Sequence, residues 1–228
     1  MSGSVPAATE VAGLTGTVPP ALFAQLGVVV IPDFLSPDLA RRLRRDAGAA
    51  TTVPATVWRD ARDSEVNLDA RRTGLAQVDS SATALIRSRL EAVRPSLEGT
   101  FRLHTLTWQP IQFLVYRAGD YFRAHRDDSD LPDAYVEFRG RRVSVVVFLN
   151  GQGPHVEDFG GGELVFYDLI PDARWKGVGI PLTPRPGMLV AFRSDCQHAV
   201  TPIERGVRCS VVTWLADPVD ARAPVTSA

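Results

Sequence analysis

In 228 residues, 45% of them hydrophobic, the chain has room for one substantial domain with a core of its own. A formal net charge of −1 gives no broad basic or acidic field, which counts against nucleic-acid or membrane-surface partners. Two cysteines, Cys196 and Cys209, are too few for a disulfide framework, and no apolar run reaches the ~18 residues of a membrane helix.

Residues 1–20 are rich in Gly, Ala, Thr and Pro without a period, and read as a flexible N-terminal arm. They lack the basic and apolar regions of a secretory signal, so a cytoplasmic protein is expected. Gly27–Ile31 is a short β-branched run, a candidate strand. Ser36, Pro37 and Asp38 then supply an N-cap, a first helical residue and a first-turn acid, with Leu39 and Leu43 on one face of the helix they open. The arginines around that stripe (Arg41, Arg42, Arg44 and Arg45) read as a solvated face. Residues 51–78 are mixed and polar, and carry Arg59, Arg62, Arg71 and Arg72. A second helix is expected over Ser81–Pro95, with Leu85, Leu90 and Val93 as its stripe.

After that helix the period falls from near four to two. Pro110–Tyr116, Arg142–Leu149, Glu163–Tyr167, Gly187–Phe192 and Val207–Leu215 read as strands between Gly- and Pro-bearing loops. Helices followed by short strands predict a mainly β fold with flanking helices: a sandwich or barrel with the N-terminal helices on one side. One domain is expected over 21–216, with a C-terminal tail at 217–228. The loops 128–140 and 168–186 are longer than hairpins need and are expected to shape an entrance.

The segment YRAGDYFRAHRD ends in His125-x-Asp127. Two residues apart on an extended segment, an imidazole and a carboxylate share a face and make half a metal site. His198 is the candidate for the other half. Two histidines and a carboxylate that leave positions open suit non-haem Fe(II). Ten residues past His198 stands Arg208, with Ser210 on the same strand face by the pleat. A buried guanidinium needs an anion; the structural alternative is a pair with Asp195 or Glu204. His155-x-Glu157 is a second His-x-acid pair, but it leads into Gly160–Gly162, a flexible turn by composition, and is read as surface or entrance. His104 reads as a strand or loop histidine, and the two cysteines, each near a site residue, are expected to lie close together.

The pieces YRAGDYFRAHRD, VVVFLN, FGGGELVFYD and PRPGMLVAFRSDCQHAVTPIERGVRCSVVTW, in that order over about residues 108–216, resemble the Fe(II)- and 2-oxoglutarate-dependent dioxygenases, most of all their prolyl-4-hydroxylase-like branch. The resemblance implies a double-stranded β-helix, or jelly roll, with iron on His125, Asp127 and His198. It implies Arg208 on the distal carboxylate of 2-oxoglutarate, Ser210 beside it, Tyr116 in or beside the co-substrate pocket, and Val146 and Leu164 as apolar lining. Phe148 stands where some prolyl hydroxylases place a tyrosine, and Arg208 where several use lysine. Nucleic-acid demethylases of the superfamily carry a second arginine six positions after the first; here that position is Trp214. Asp127 argues against the related halogenases, which lack this carboxylate.

The implied cofactors are Fe(II), 2-oxoglutarate as co-substrate and O2, with ascorbate as a candidate addition. The implied reaction is hydroxylation of a small-molecule, amino-acid or peptide substrate coupled to decarboxylation of 2-oxoglutarate. Both histidines must be neutral to bind iron, so activity is expected to fall in mild acid. Gln112, Asp128, Arg139, Trp175, Trp214 and the arginines of 51–78 are the candidate substrate residues. Two other readings stay open here: a non-catalytic metal-binding β-barrel, and a cupin-like metalloenzyme that does not use 2-oxoglutarate. Arg208 with Ser210 separates the latter from a dioxygenase. Oligomeric state is not legible in the chain.

Overall fold

The computed structural model describes residues 20–55, 57–60, 63–65, 67–128 and 140–218. The arm, most of the tail and of the 128–140 loop, Arg62, Arg139 and the side chain of Arg59 lie outside that description.

Three α-helices lie in the N-terminal half, with short strands between them: α1 (Pro20–Gln25), α2 (Pro37–Ala49) and α3 (Ser80–Phe101). α1 begins at the residue where the arm was expected to end. α2 starts as expected: the Ser36 hydroxyl accepts the Leu39 N–H at 3.4 Å and Pro37 occupies the first turn. On α3 the Asp79 carboxylate accepts the Ser81 N–H at 2.7 Å. The helix runs through Pro95 and ends six residues later than expected, where Arg102 turns into the left-handed region at φ 56°. Its buried stripe is Ala82, Ile86, Leu90 and Leu97, so Ile86 takes the place expected for Leu85.

The strands among and before the helices are β1 (Val29–Ile31), β2 (Thr52–Pro54), β3 (Val57–Asp60), β4 (Asp63–Glu65), β5 (Arg71–Arg72) and β6 (Gly74–Ala76). After α3 follow β7 (Thr107–Trp108), β8 (Gln112–Arg117), β9 (Tyr121–His125), β10 (Arg141–Phe148), β11 (Gly160–Gly161) and β12 (Leu164–Tyr167). The last five are β13 (Gly179–Leu182), β14 (Leu189–Arg193), β15 (His198–Val200), β16 (Ile203–Arg205) and β17 (Val207–Ala216).

Eight strands form a major sheet in the order β1-β14-β10-β17-β8-β6-β2, with β7 also on β17. Five form a minor sheet, β13-β12-β15-β9-β5, and all these ladders are antiparallel. This is the double-stranded β-helix, with helices packed on one side.

Both faces of the major sheet are buried. On the outer face Phe113, Val115, Val143, Val145, Val147, Cys209 and Val211 pack with Leu43 of α2 and Ile86 and Leu90 of α3. On the inner face Val146, Phe148 and Val190 meet Leu164 and Phe166 of the minor sheet, while Leu114 and Tyr116 meet Val200 and Ile203. Strands buried on both sides lose the apolar–polar alternation, hence the unbroken apolar run Val145–Leu149.

The glycines at 160–162 form no flexible turn. β11 pairs with β16, and Gly161 and Gly162 hold φ of 67° and 64°. A Cβ on Gly161 would lie 2.3 Å from the Pro202 carbonyl, and one on Gly162 would lie 2.3 Å from Ile203 Cδ1 and 3.3 Å from Arg208 Cδ. Backbone approach, not mobility, is what these glycines supply.

Candidate metal centre

His125 closes β9 and His198 opens β15, and the two are paired neighbours across the minor sheet. Their ladder contains a bulge. From His198 to Val200 is two steps, while the matching stretch from His125 back to Phe122 is three. The extra residue turns His125 onto the face that Phe122 occupies, toward the barrel interior. Asp127 is not on the strand with His125, as expected, but in the bend after it. That bend is held by the Ser194 carbonyl, which accepts the N–H of Asp127 at 2.9 Å and of Asp128 at 3.2 Å. Bulge and bend, rather than a shared pleat, bring the carboxylate and imidazoles together.

The three ligand atoms lie within 4.8 Å of one another. Nε2 of His125 is 3.5 Å from Asp127 Oδ1, and Nε2 of His198 is 3.6 Å from Asp127 Oδ2. Each Nδ1 faces a carbonyl oxygen: Arg123 at 2.8 Å for His125, Cys196 at 3.0 Å for His198. A carbonyl only accepts, so both Nδ1 atoms carry the proton and both Nε2 lone pairs turn to the carboxylate. Burial and the neighbouring His125 lower the His198 pKa to about 4, against the pull of Asp127. Burial alone would raise the Asp127 carboxyl; His198, His125 and Arg141 outweigh it and hold it far below the usual carboxylate range. An ionised carboxylate beside a neutral imidazole is the state in which both bind a metal. The donor set of two nitrogens and one carboxylate, on one side of a common point, fits a ferrous ion with positions left open.

On the inner face of the major sheet stands Arg208, 2% exposed. Its Nη1 donates to Ser210 Oγ at 3.2 Å, and its Nε has no partner. The guanidinium carbon lies 4.9 Å from the Tyr116 ring centre and 5.0 Å from that of Phe148. Burial lowers its pKa, opposed first by Tyr116, and no carboxylate ion pair forms among the described residues. Asp195 is taken by Arg193 at 2.8 Å, and Glu204 is exposed, so neither is its counter-ion. A buried cation without an anion is costly unless a ligand supplies one. The charge and burial of this guanidinium suit the far carboxylate of a dicarboxylate. Phe148 offers the guanidinium a ring face and no hydroxyl; the hydroxyl beside it is that of Ser210.

Val146 and Leu164 are buried in the interior cluster, at 8% and 1% exposure. His104 is exposed, and His155 sits with Glu157 in an exposed loop where Glu157 pairs with Arg44 of α2 at 3.5 Å. Arg41, Arg42 and Arg45 are solvated, whereas Arg44 is half-buried. Cys196 and Cys209 form no disulfide and lie in different clusters: Cys209 faces the helices, Cys196 the barrel interior cluster.

Arg141 was not foreseen. A second bulge, where Arg141 pairs with Ala216 but Val143 with Leu215, makes Arg142 the extra residue and swings Arg141 inward. There its guanidinium lies 3.6 Å from the Trp214 ring centre, and its Nε donates to Gln109 Oε1 at 2.7 Å. The two-residue period alone would place Arg141 outside with Val143, and nothing in the sequence marks the bulge.

Residues 111–216 match the family model of the 2OG-Fe(II) oxygenase superfamily. A solved prolyl-4-hydroxylase from Pseudomonas putida superposes with a TM-score of 0.63 at 26% identity, over 87% of this chain and 96% of that one. The chain belongs to the 2OG-Fe(II) oxygenase superfamily. This oxygenase is also 27% identical over 195 residues to a PKHD-type hydroxylase of Nitrobacter winogradskyi, spanning 82% of the chain and 77% of the relative. It shares its fold with a Trichoplax adhaerens prolyl hydroxylase solved with a peptide fragment, at TM-score 0.63 and 20% identity over 86% of each chain. It is thus a prolyl-4-hydroxylase-like, 2-oxoglutarate-dependent dioxygenase of the hydroxylase type, whose cofactors are Fe(II), 2-oxoglutarate and O2.

Proposed function

We propose that this dioxygenase hydroxylates an unactivated C–H bond of an amino-acid, peptidyl or natural-product substrate, with 2-oxoglutarate decarboxylated to succinate. His125, Asp127 and His198 hold the iron; Arg208 and Ser210 hold the distal carboxylate of the co-substrate between Tyr116 and Phe148, with Val146 and Leu164 as apolar wall. The observation that carries the reading is Arg208: a guanidinium 2% exposed, with an unpartnered Nε and no acid beside it among the described residues. A cupin-like metalloenzyme has no use for it.

When bound, the iron with its keto-acid and O2 supplies the oxidising power. The chain's own residues supply orientation and exclusion of water. The cluster opens on the His125 side, where that side chain is 20% exposed against 6% for His198. Substrate therefore approaches past His125. A peptidyl substrate is favoured because the solved neighbours are named prolyl hydroxylases and one holds a peptide. A nucleic-acid substrate is disfavoured by the net charge of −1 and by Trp214, which lies beneath Arg141. We take residues 21–216 as one domain, since α2 and α3 share a core with the major sheet. The free cysteines support the cytoplasm, and among the described residues no helix is long and apolar enough to cross a membrane.

The test is a screen of proline-containing peptides, free amino acids and small metabolites with Fe(II), ascorbate and 2-oxoglutarate. Succinate release above the substrate-free background, with a product 16 Da heavier, is the expected result. Failure of 2-oxoglutarate to bind anaerobically to the Fe(II) protein, read as no visible charge-transfer band at saturating ligand, overturns the proposal.

A further inference from the structure

The two imidazoles of the cluster are held by different means. His198 is enclosed: its ring meets Phe192 edge-on at 4.7 Å and 66°, and its side chain is 6% exposed. His125 stands at the open side, where its own burial cannot fix it. One face of its ring is instead stacked on Phe122, with centroids 3.5 Å apart and planes at 19°. The β9 bulge makes this possible. In an unbroken strand, residues three apart point to opposite faces; the extra residue puts Phe122 and His125 on the same one.

The support continues outward. Arg71 of β5 is the register partner of Phe122, and its guanidinium carbon lies 4.7 Å from the ring centre. The bulge backbone is tied as well: Arg123 donates its N–H to the Ala70 carbonyl at 2.9 Å while its own carbonyl accepts from His125 Nδ1. Rotation of His125 about its ring axis is thus opposed by a flat apolar face on one side and a hydrogen bond at its edge.

We propose that Phe122 is a positioning residue for His125: its ring holds the imidazole plane so that Nε2 meets the iron, and Arg71 holds Phe122 in turn. The inference rests on the iron-site reading above. Neither residue touches the reacting atoms; both act through the ligand. Partners that orient a metal ligand commonly set metal affinity.

Phe122→Leu keeps apolar bulk without the flat face, and Phe122→Tyr keeps the face. Anaerobic titration of the metal-free proteins with Co(II), followed by its visible bands, reads the effect without turnover. Phe122→Leu should bind about tenfold more weakly and show altered bands, while Phe122→Tyr stays within about threefold of wild type. Wild-type affinity in Phe122→Leu, or equal loss in both variants, overturns the proposal. If Phe122→Leu does not fold, as judged by circular dichroism, Arg71→Met carries the test: about a threefold loss is expected, and none overturns it. His125→Ala is the control. If it binds Co(II) as wild type does, the iron-site reading itself fails; if it loses binding while Phe122→Leu does not, only the positioning role fails.

Discussion

Arg208 is the side chain whose loss should be most selective. Removing one member of a buried charge pair costs roughly 2–5 kcal/mol, so Arg208→Ala should weaken 2-oxoglutarate binding by about 100-fold or more. Metal affinity without co-substrate should stay near wild type; calorimetric titration of each ligand separates the two, and equal losses would show that Arg208 serves the fold. His198 makes a second prediction. Its pKa in the folded chain is about 4, below the ordinary 6.5, so as pH falls the unfolded chain takes up this proton first. The metal-free protein should therefore lose stability between pH 6.5 and 4, by a few kcal/mol at most, and regain it as pH rises. The urea midpoint followed over that window measures this, and His198→Gln should flatten the slope. The same depression alters the expectation of acid sensitivity: His198 stays neutral through mild acid, so any loss of activity there has another origin. Residues such as Arg208 and Ser210 were legible because a two-residue period on one long strand fixes their face. Arg141 and Phe122 were not, since each owes its direction to a bulge set by the partner strand.

Elements with strong local signals were the readable ones. Ser36-Pro37 announces α2, and the valines of Val143–Val147 announce β10. The short strands β5, β9, β13, β15 and β16 carry two to five residues each, too few for a period to show, and their pairing is decided by the sheet they join. Composition alone suggests a turn for the glycine run at 160–162, although its left-handed residues serve close packing. That difference can be measured. Gly119, at φ 87° with open space around its Cβ position, should lose only the strain of about 1–2 kcal/mol when changed to Ala. Gly162→Ala adds contact with Ile203 and the Arg208 stem, so it should lower the melting temperature further and also weaken 2-oxoglutarate binding. If the two variants melt alike and bind alike, the tight approach at Gly162 has no consequence.

At the scale of the molecule, the two sheets face each other, and at the site they enclose polar groups (His198, Arg208, Ser210) that are costly to bury without partners. Ligands that bind only the folded chain add stability by mass action. If the proposed assignment holds, Mn(II) with 2-oxoglutarate should therefore raise the melting temperature more than either alone, one on the minor-sheet side and the other on the major-sheet side. His198→Ala should abolish the metal-dependent part, and Arg208→Ala the co-substrate-dependent part. A shift that survives both substitutions would place the ligands elsewhere.

β17 belongs to two compartments at once. Arg208 and Ser210 look into the barrel, while Cys209 and Val211, between and beside them, are seated among the helices. The strand is a shared beam, so on the proposed role of Arg208 any repacking beneath α2 should also shift the grip on the small dicarboxylate. Directed evolution for thermal robustness at Leu43 or Cys209 would then alter co-substrate economy as a by-product. Tuning of this enzyme toward scarce or abundant cellular 2-oxoglutarate has a route that never touches the chamber itself.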